Sequence, residues 1–591
     1  MKSNHRLKRL LTYSLAHRPD MIKASIFSIV NKIFDVFPEI LIGVAIDVVV
    51  EQEQSFLAKI GIADPRHQLA LLAVVTLLIW VSESLSEYGA VVRWRNLAQE
   101  IQHKLRLDGV SHIQKLSLSW YEEQNSGQLL AILNDDVNQV ERFLNEGLHN
   151  LIQMLVSSLL IGAVFLYLSP IVALFAILPI PIIILGGFRL KGPLAGRYSD
   201  VRQRAAQLGE KLSGVITGVV TIRASVAEDA MVENISRASQ GYIDANREAI
   251  RLSSAFVPII RMAVLAGFLV TLVLGGLKTL DGSLAPAAFT VLVFLTQRLL
   301  WPFTRFGDLL DLYERSLASA QRVLDLIATP IDIADSDQTK TLERIEGRIT
   351  FKNVEFAYPG YKPVLNGFNL DIQAGEFIGI VGSTGSGKST LIKLLLRFYD
   401  PQSGNITIDG VPIDKLSLAQ LRNSIGYVGQ DVFLMDASIE DNLLLGKEFA
   451  SHEEITAALQ ASDSENFVNK LPEQLGTAIG ERGQRLSGGQ RQRLTIARGI
   501  LGQPPILVFD EATSAVDNET EEAIQKSLQR LAHNRTMIVI AHRLSTIRHA
   551  DKIIVLQEGT IAESGRHDEL VESGQIYKRL WDLQTGVSTE P

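Results

Sequence analysis

Six apolar stretches of membrane length lie in the first 330 residues, near 21–50, 68–92, 143–168, 170–190, 255–278 and 284–306. About 20 mostly apolar residues carry a helix across the hydrocarbon core of a bilayer. Six soluble core helices of that length would need a very large domain around them, so residues 1–330 are expected to form an all-α transmembrane domain of six helices. Composition agrees. Mean hydropathy is +0.16, and 47% of the 591 residues are hydrophobic, which is apolar for a soluble enzyme. The absence of cysteine excludes disulfides, thiolate zinc sites and thiol catalysis. A net charge of −8 gives no reason to expect a nucleic-acid partner. The basic start, from Met1 to Arg9, is not followed by the apolar core and cleavage pattern of a signal peptide.

Basic residues set the expected orientation. The connection over 93–142 carries Arg93, Arg95, Lys104, Arg106, Lys115 and Arg142, and that over 189–252 carries ten Lys and Arg, from Arg189 to Arg251. The loop over 51–67 has only Lys59 and Arg66. Both long connections and both termini should therefore be cytoplasmic. Their helical spacing and polar faces suggest that the membrane helices continue into the cytoplasm, with turns near 120–127 and 213–218. Within the first span Lys32, Asp35 and Glu39 share a helix face, Arg261 falls in the fifth, and Gln297 and Arg298 fall in the sixth. Ionisable groups at membrane depth either line a wet path or pair with one another.

Past a linker over 331–346 the character changes to short strands, glycine motifs and charged helices. Gly382-Ser383-Thr384-Gly385-Ser386-Gly387-Lys388-Ser389 matches the phosphate-loop pattern G-x-x-x-x-G-K-[ST]. The apolar run 377–381 before it reads as a strand, and 390–396 after it, opening with Thr390, reads as a helix. Backbone N–H groups and the helix dipole would cradle phosphates, Lys388 would reach the β- and γ-phosphates, and Ser389 would ligate Mg2+. Farther on, the apolar run 506–509 delivers Asp510 as a second magnesium ligand, and Glu511 follows where a carboxylate could polarise a water. His542 ends another apolar run, 537–541. Ser487-Gly488-Gly489-Gln490 opens a helix and makes a second anion-binding device, one that serves best if it completes the nucleotide site of another copy.

Together these motifs resemble an ATP-binding cassette (ABC) transporter, specifically an exporter half-transporter of the bacterial lipid-flippase and multidrug type. The resemblance covers essentially the whole chain. It implies a six-helix transmembrane domain over 1–330 with long cytoplasmic helix extensions, then an α/β P-loop NTPase domain of ABC type over 347–591. It implies that Tyr358 stacks on adenine, that Gln430 senses magnesium and the γ-phosphate, that Asp517 crosses a dimer interface, and that 477–483 contact the cytoplasmic tips. The tips near 120–127 and 213–224 resemble coupling helices. The implied activity is ATP hydrolysis driving export or flipping of an amphipathic substrate (lipid, drug-like compound or peptide). The implied cofactors are ATP and Mg2+, and the implied setting is a bacterial inner membrane. Because the Glu511 and Ser487–Gln490 motifs are both intact, a homodimer with two working sites is expected. The rival is a membrane-anchored ABC ATPase with a regulatory role that transports nothing.

Overall fold

The computed structural model describes residues 2–336, 338–511, 518–532 and 534–585. The chain forms two compact units: Met1–Gln114 with Ser126–Thr329, and Lys115–Asn125 with Pro330–Pro591. The tip between two long helices of the first unit is thus part of the second.

The first unit is helical. Among the described residues, Pro65–Ile113, Ser126–Leu168, Glu228–Leu280 and Pro286–Ile327 are long and apolar enough to cross a membrane. Only 17–39% of their apolar windows is buried within the protein, so these faces call for a non-aqueous environment. Two of the six expected stretches fall outside this set. Helix Arg18–Glu51, which contains 21–50, carries Lys32, Asp35, Glu39 and Asp47. The 170–190 stretch divides between helices Pro170–Ile177 and Pro179–Thr217, since Pro179 has no N–H to continue the ladder. Glu228–Leu280 has 53 residues, about 80 Å at 1.5 Å per residue against a hydrocarbon core of about 30 Å. The expected extensions beyond the membrane are therefore present. The second tip turns at the end of the expected stretch. The helix continues through Ser213–Thr217, breaks at Gly218, and returns through Val219–Ala224 and the left-handed Val226 (φ 50°).

Lys32, Asp35, Glu39 and Arg298 pair with one another. Lys32 Nζ lies 2.5 Å from Asp35. Arg298 binds the Asp35 carboxylate and lies 3.1 Å from Glu39. Arg261 stands over the Trp301 ring at 5.7 Å. Arg298→Met would strand Glu39 and leave Asp35 with Lys32 alone, and breaking such a buried pair costs about 3 kcal/mol. Thermal unfolding of the purified variant is expected at a clearly lower temperature than wild type.

The second unit contains two sheets. An antiparallel sheet has the order β2-β1-β4-β5, from β1 (Ile349–Ala357), β2 (Pro363–Ile372), β4 (Ser403–Ile408) and β5 (Val411–Pro412). The other has the order β10-β9-β3-β8-β7-β6, from β3 (Phe377–Gly382), β6 (Ile425–Val428), β7 (Ile506–Asp510), β8 (Thr536–Ile540), β9 (Lys552–Gln557) and β10 (Thr560–Gly565). The first five residues of β3 and all of β7 and β8 are buried, which explains their unbroken apolar sequence. The stretch after residue 330 is pinned to this unit, with Leu342 N–H donating to Gln420 and the amides of Glu346 and Gly347 to Asp409.

Candidate nucleotide site

Strand β8 runs parallel to both β3 and β7, with Ile540 opposite Ile380 on one side and Asp510 on the other. The chain therefore leaves three neighbouring strands at one edge, through the phosphate loop, Glu511 and His542. The carboxyl ends of parallel strands are where open α/β sheets bind ligands.

The loop reaches its shape through Gly385 (φ 83°) and Gly387 (φ 104°), whose left-handed backbone a side chain would strain. Gly387 caps helix Lys388–Leu395 without a side-chain hydrogen bond, leaving the first helical N–H groups for an anion. Ser386 Oγ is buried without a hydrogen-bond partner, a polar atom facing an unmet demand. Lys388 Nζ donates to the carbonyls of Gly382 (2.9 Å) and Ser383 (3.0 Å). Burial pulls the Lys388 ammonium below its ordinary pKa, and Glu511 and Asp510 offset this in part.

Ser389 Oγ lies 3.5 Å from Asp510 Oδ1. Burial pushes Asp510 above the usual carboxylate range despite that hydrogen bond. Glu511 is a non-glycine residue at φ 54°, with its N–H tied to the Ile540 carbonyl. Such a backbone costs about 1–2 kcal/mol and aims the side chain back over the sheet edge. The Glu511 carboxylate accepts from Gln430 Nε2 at 2.6 Å and lies 2.5 Å from His542 Nε2. Gln430 comes from the loop after β6, so one carboxylate joins three expected site residues from three elements. Tyr358 follows β1, and its hydroxyl lies 3.2 Å from Thr390 Oγ1.

Ser487, Gly488, Gly489 and Gln490 stand apart. Ser487 caps helix Gly488–Leu501 in a reciprocal box, its hydroxyl accepting from the Gln490 N–H and its own N–H donating to Gln490 Oε1. Ser487 and Gly488 are exposed, and no described hydrogen bond joins these four residues to 382–390. The segment 477–483 ends in a turn with Arg482 at φ 52°. Asp517 lies outside the described residues.

Four contributors escaped sequence reasoning. Gln584, on helix Ile576–Thr585, straddles the chain around His542, donating to the His542 carbonyl (2.5 Å) and accepting from the Leu544 N–H (2.8 Å). Gln584→Ala should lower hydrolysis several-fold with little change in KM for ATP, because it frees the His542 backbone and leaves the phosphate loop intact. Steady-state kinetics would check this. The other three are Glu122, Lys393 and Tyr399. Glu122, in the short tip helix Leu118–Glu123, accepts from Lys393 Nζ (2.8 Å) and from the Tyr399 hydroxyl. Burial raises the Glu122 pKa, but these two donors outweigh it and hold the carboxyl below its ordinary value. Their contribution to docking is therefore complete above the ordinary carboxylate range and fades as pH falls through the depressed value, so it is steady near neutrality.

Residues 21–303 match the ABC transporter transmembrane region, and residues 365–514 match the ABC transporter domain. A lipid A-core flippase of Chromobacterium violaceum is 36% identical over 512 residues, covering 85% of each chain. The chain belongs to the ABC transporters. A putative multidrug export ATP-binding/permease protein of Staphylococcus aureus is 32% identical to this ABC transporter over 584 residues, covering 98% of this chain and 100% of that one. The structure of a bacterial Atm1-family ABC exporter with ATP bound superposes on this ABC transporter with a TM-score of 0.83 at 27% identity, covering 97% of this chain and 99% of that one. The transporter couples ATP hydrolysis to export, with a helical membrane region followed by a nucleotide-binding domain.

Proposed function

We propose that the transporter works as a homodimer in a bacterial inner membrane, exporting or flipping an amphipathic substrate, with both termini and the ATPase domain cytoplasmic. In this reading 1–330 form the membrane domain, 331–346 the linker and 347–591 the ATPase domain. The convergence of Gln430 and His542 on Glu511 carries the catalytic assignment. Glu511 takes the proton of the attacking water, His542 holds Glu511 and faces the γ-phosphate, and Gln430 orients the same carboxylate. The loop from Gly382 to Ser389, with Thr390, holds the phosphates, and Tyr358 stacks on the base. Ser487, Gly488, Gly489 and Gln490 close over the nucleotide of the partner copy, with Asp517 at the crossing.

Magnesium fits the donor set. Ser389 and Asp510 offer hard oxygen atoms side by side, with Gln430 supplying an amide oxygen, and a buried carboxylate with a raised pKa gains from a nearby cation. The ion's contribution when bound is to neutralise charge on the phosphates. Catalysis by the chain itself is positioning and electrostatics.

The second tip supports a partner copy. Ile216 (74%), Val220 (77%) and Val226 (86%) are largely exposed there. Apolar side chains at such a tip gain from docking on another surface, here the ATPase domain of a second chain. The named relatives support an amphipathic substrate. Hydrolysis in lipid nanodiscs, screened across lipids, drugs and peptides, tests the function. Stimulation by one class supports export and identifies its substrate, whereas a rate indifferent to all of them supports the regulatory ATPase.

A further inference from the structure

Glu122 reaches the base site through two residues. Tyr399, which donates to Glu122, packs edge-on to Tyr358 with ring centroids 5.3 Å apart at 86°. Phe356 adds a third ring, 5.0 Å from Tyr358 and 5.5 Å from Tyr399. Lys393 Nζ, also bound to Glu122, lies 5.4 Å from the Tyr358 centroid. Lys393 belongs to helix Lys388–Leu395, which also carries Thr390, the partner of the Tyr358 hydroxyl. The tilt and position of the Tyr358 ring are thus set by neighbours that Glu122 holds. Glu122 itself lies on the segment joining Pro65–Ile113 to Ser126–Leu168, two helices long and apolar enough to cross a membrane.

We propose that Glu122, Lys393 and Tyr399 are positioning residues that couple docking of the first tip to stacking of the nucleotide base on Tyr358. The inference rests on the reading of Tyr358 as the base platform. Coupling is reciprocal: a tip that docks better when the base is stacked makes the base bind better when the tip is docked. A displacement of the membrane helices that pulls on the tip would thereby change nucleotide affinity. A contact that merely stabilised the domain would not depend on which base is bound.

The test compares ATP with UTP, whose smaller base stacks less well, on full-length protein in nanodiscs. Tyr358→Leu is expected to raise KM for ATP and narrow the ATP/UTP ratio. Glu122→Gln and Tyr399→Phe, both conservative, are expected to raise KM for ATP about fivefold and to leave KM for UTP and both kcat values nearly unchanged. Equal effects on both nucleotides, or no effect, overturn the proposal. If Tyr358→Leu leaves the ratio unchanged, the base-platform reading falls and the coupling falls with it. If Tyr358→Leu narrows the ratio while the other two variants do not, the coupling alone falls. Should Glu122→Gln fold poorly, Tyr399→Phe decides, since it removes one hydroxyl and keeps the ring.

Discussion

Glu511→Gln should bind ATP about as well as wild type and hydrolyse it about 10²–10⁴-fold more slowly, the usual worth of a general base. The amide keeps the size of the side chain and can still meet Gln430 and His542, but it cannot take a proton from water. The strained backbone at φ 54° already fixes where this side chain points, so the substitution changes chemistry more than geometry. Nucleotide retention by filter binding and phosphate release, measured on one preparation, separate the two effects. Hydrolysis at the wild-type rate would remove Glu511 from the base role and leave His542 as the next residue to examine.

Lys388→Met and Ser487→Arg should each abolish hydrolysis when made alone, yet partly restore it when the two variant chains are combined. If each site takes its phosphate loop from one chain and Ser487 from the other, a mixed dimer has one site with both lesions and one with neither. With independent sites, dimers selected to be mixed would return about half of the wild-type rate. Within one chain the Ser487 helix and the phosphate loop share no described hydrogen bond, and this separation is what the experiment exploits. Chains co-expressed with different tags and purified through both would carry the measurement. Zero recovery in dimers verified to be mixed would argue against a composite site.

The nucleotide site was legible in the sequence because its parts are local. A buried strand, a glycine loop and a helix start are consecutive, and the apolar runs at 506–509 and 537–541 announce the strands that deliver Asp510, Glu511 and His542. The arrangement around Glu511 was less so. Residue order named His542 at a strand end and Gln430 through family resemblance, but only the parallel registers of β6, β7 and β8 bring them to the same carboxylate. Lys393, Tyr399 and Gln584 were not legible at all, and Glu122 was legible only as part of a tip, because the partners of these ordinary polar residues lie far away in the chain. In the first of these helices the spacing of Lys32, Asp35 and Glu39 showed a shared face, whereas Arg298 as the common partner of Asp35 and Glu39 required the packing of separate helices. Within the expected turn at the second tip the helix tolerates Gly214 and breaks at Gly218.

The membership of Lys115–Asn125 in the second unit bears on how the chain is made. Glu122 precedes Lys393 by 271 residues. At about 5–20 residues per second, the tip leaves the ribosome roughly 15–50 s before its partners exist. During that interval Leu118, which later packs against the core around Ile349 and Phe356, has no surface to cover it. The nascent protein therefore carries a finished key before its lock, and a ribosome stalled after residue 330 would leave that key exposed to chaperones, to proteases, or to the ATPase domain of a neighbouring chain already complete.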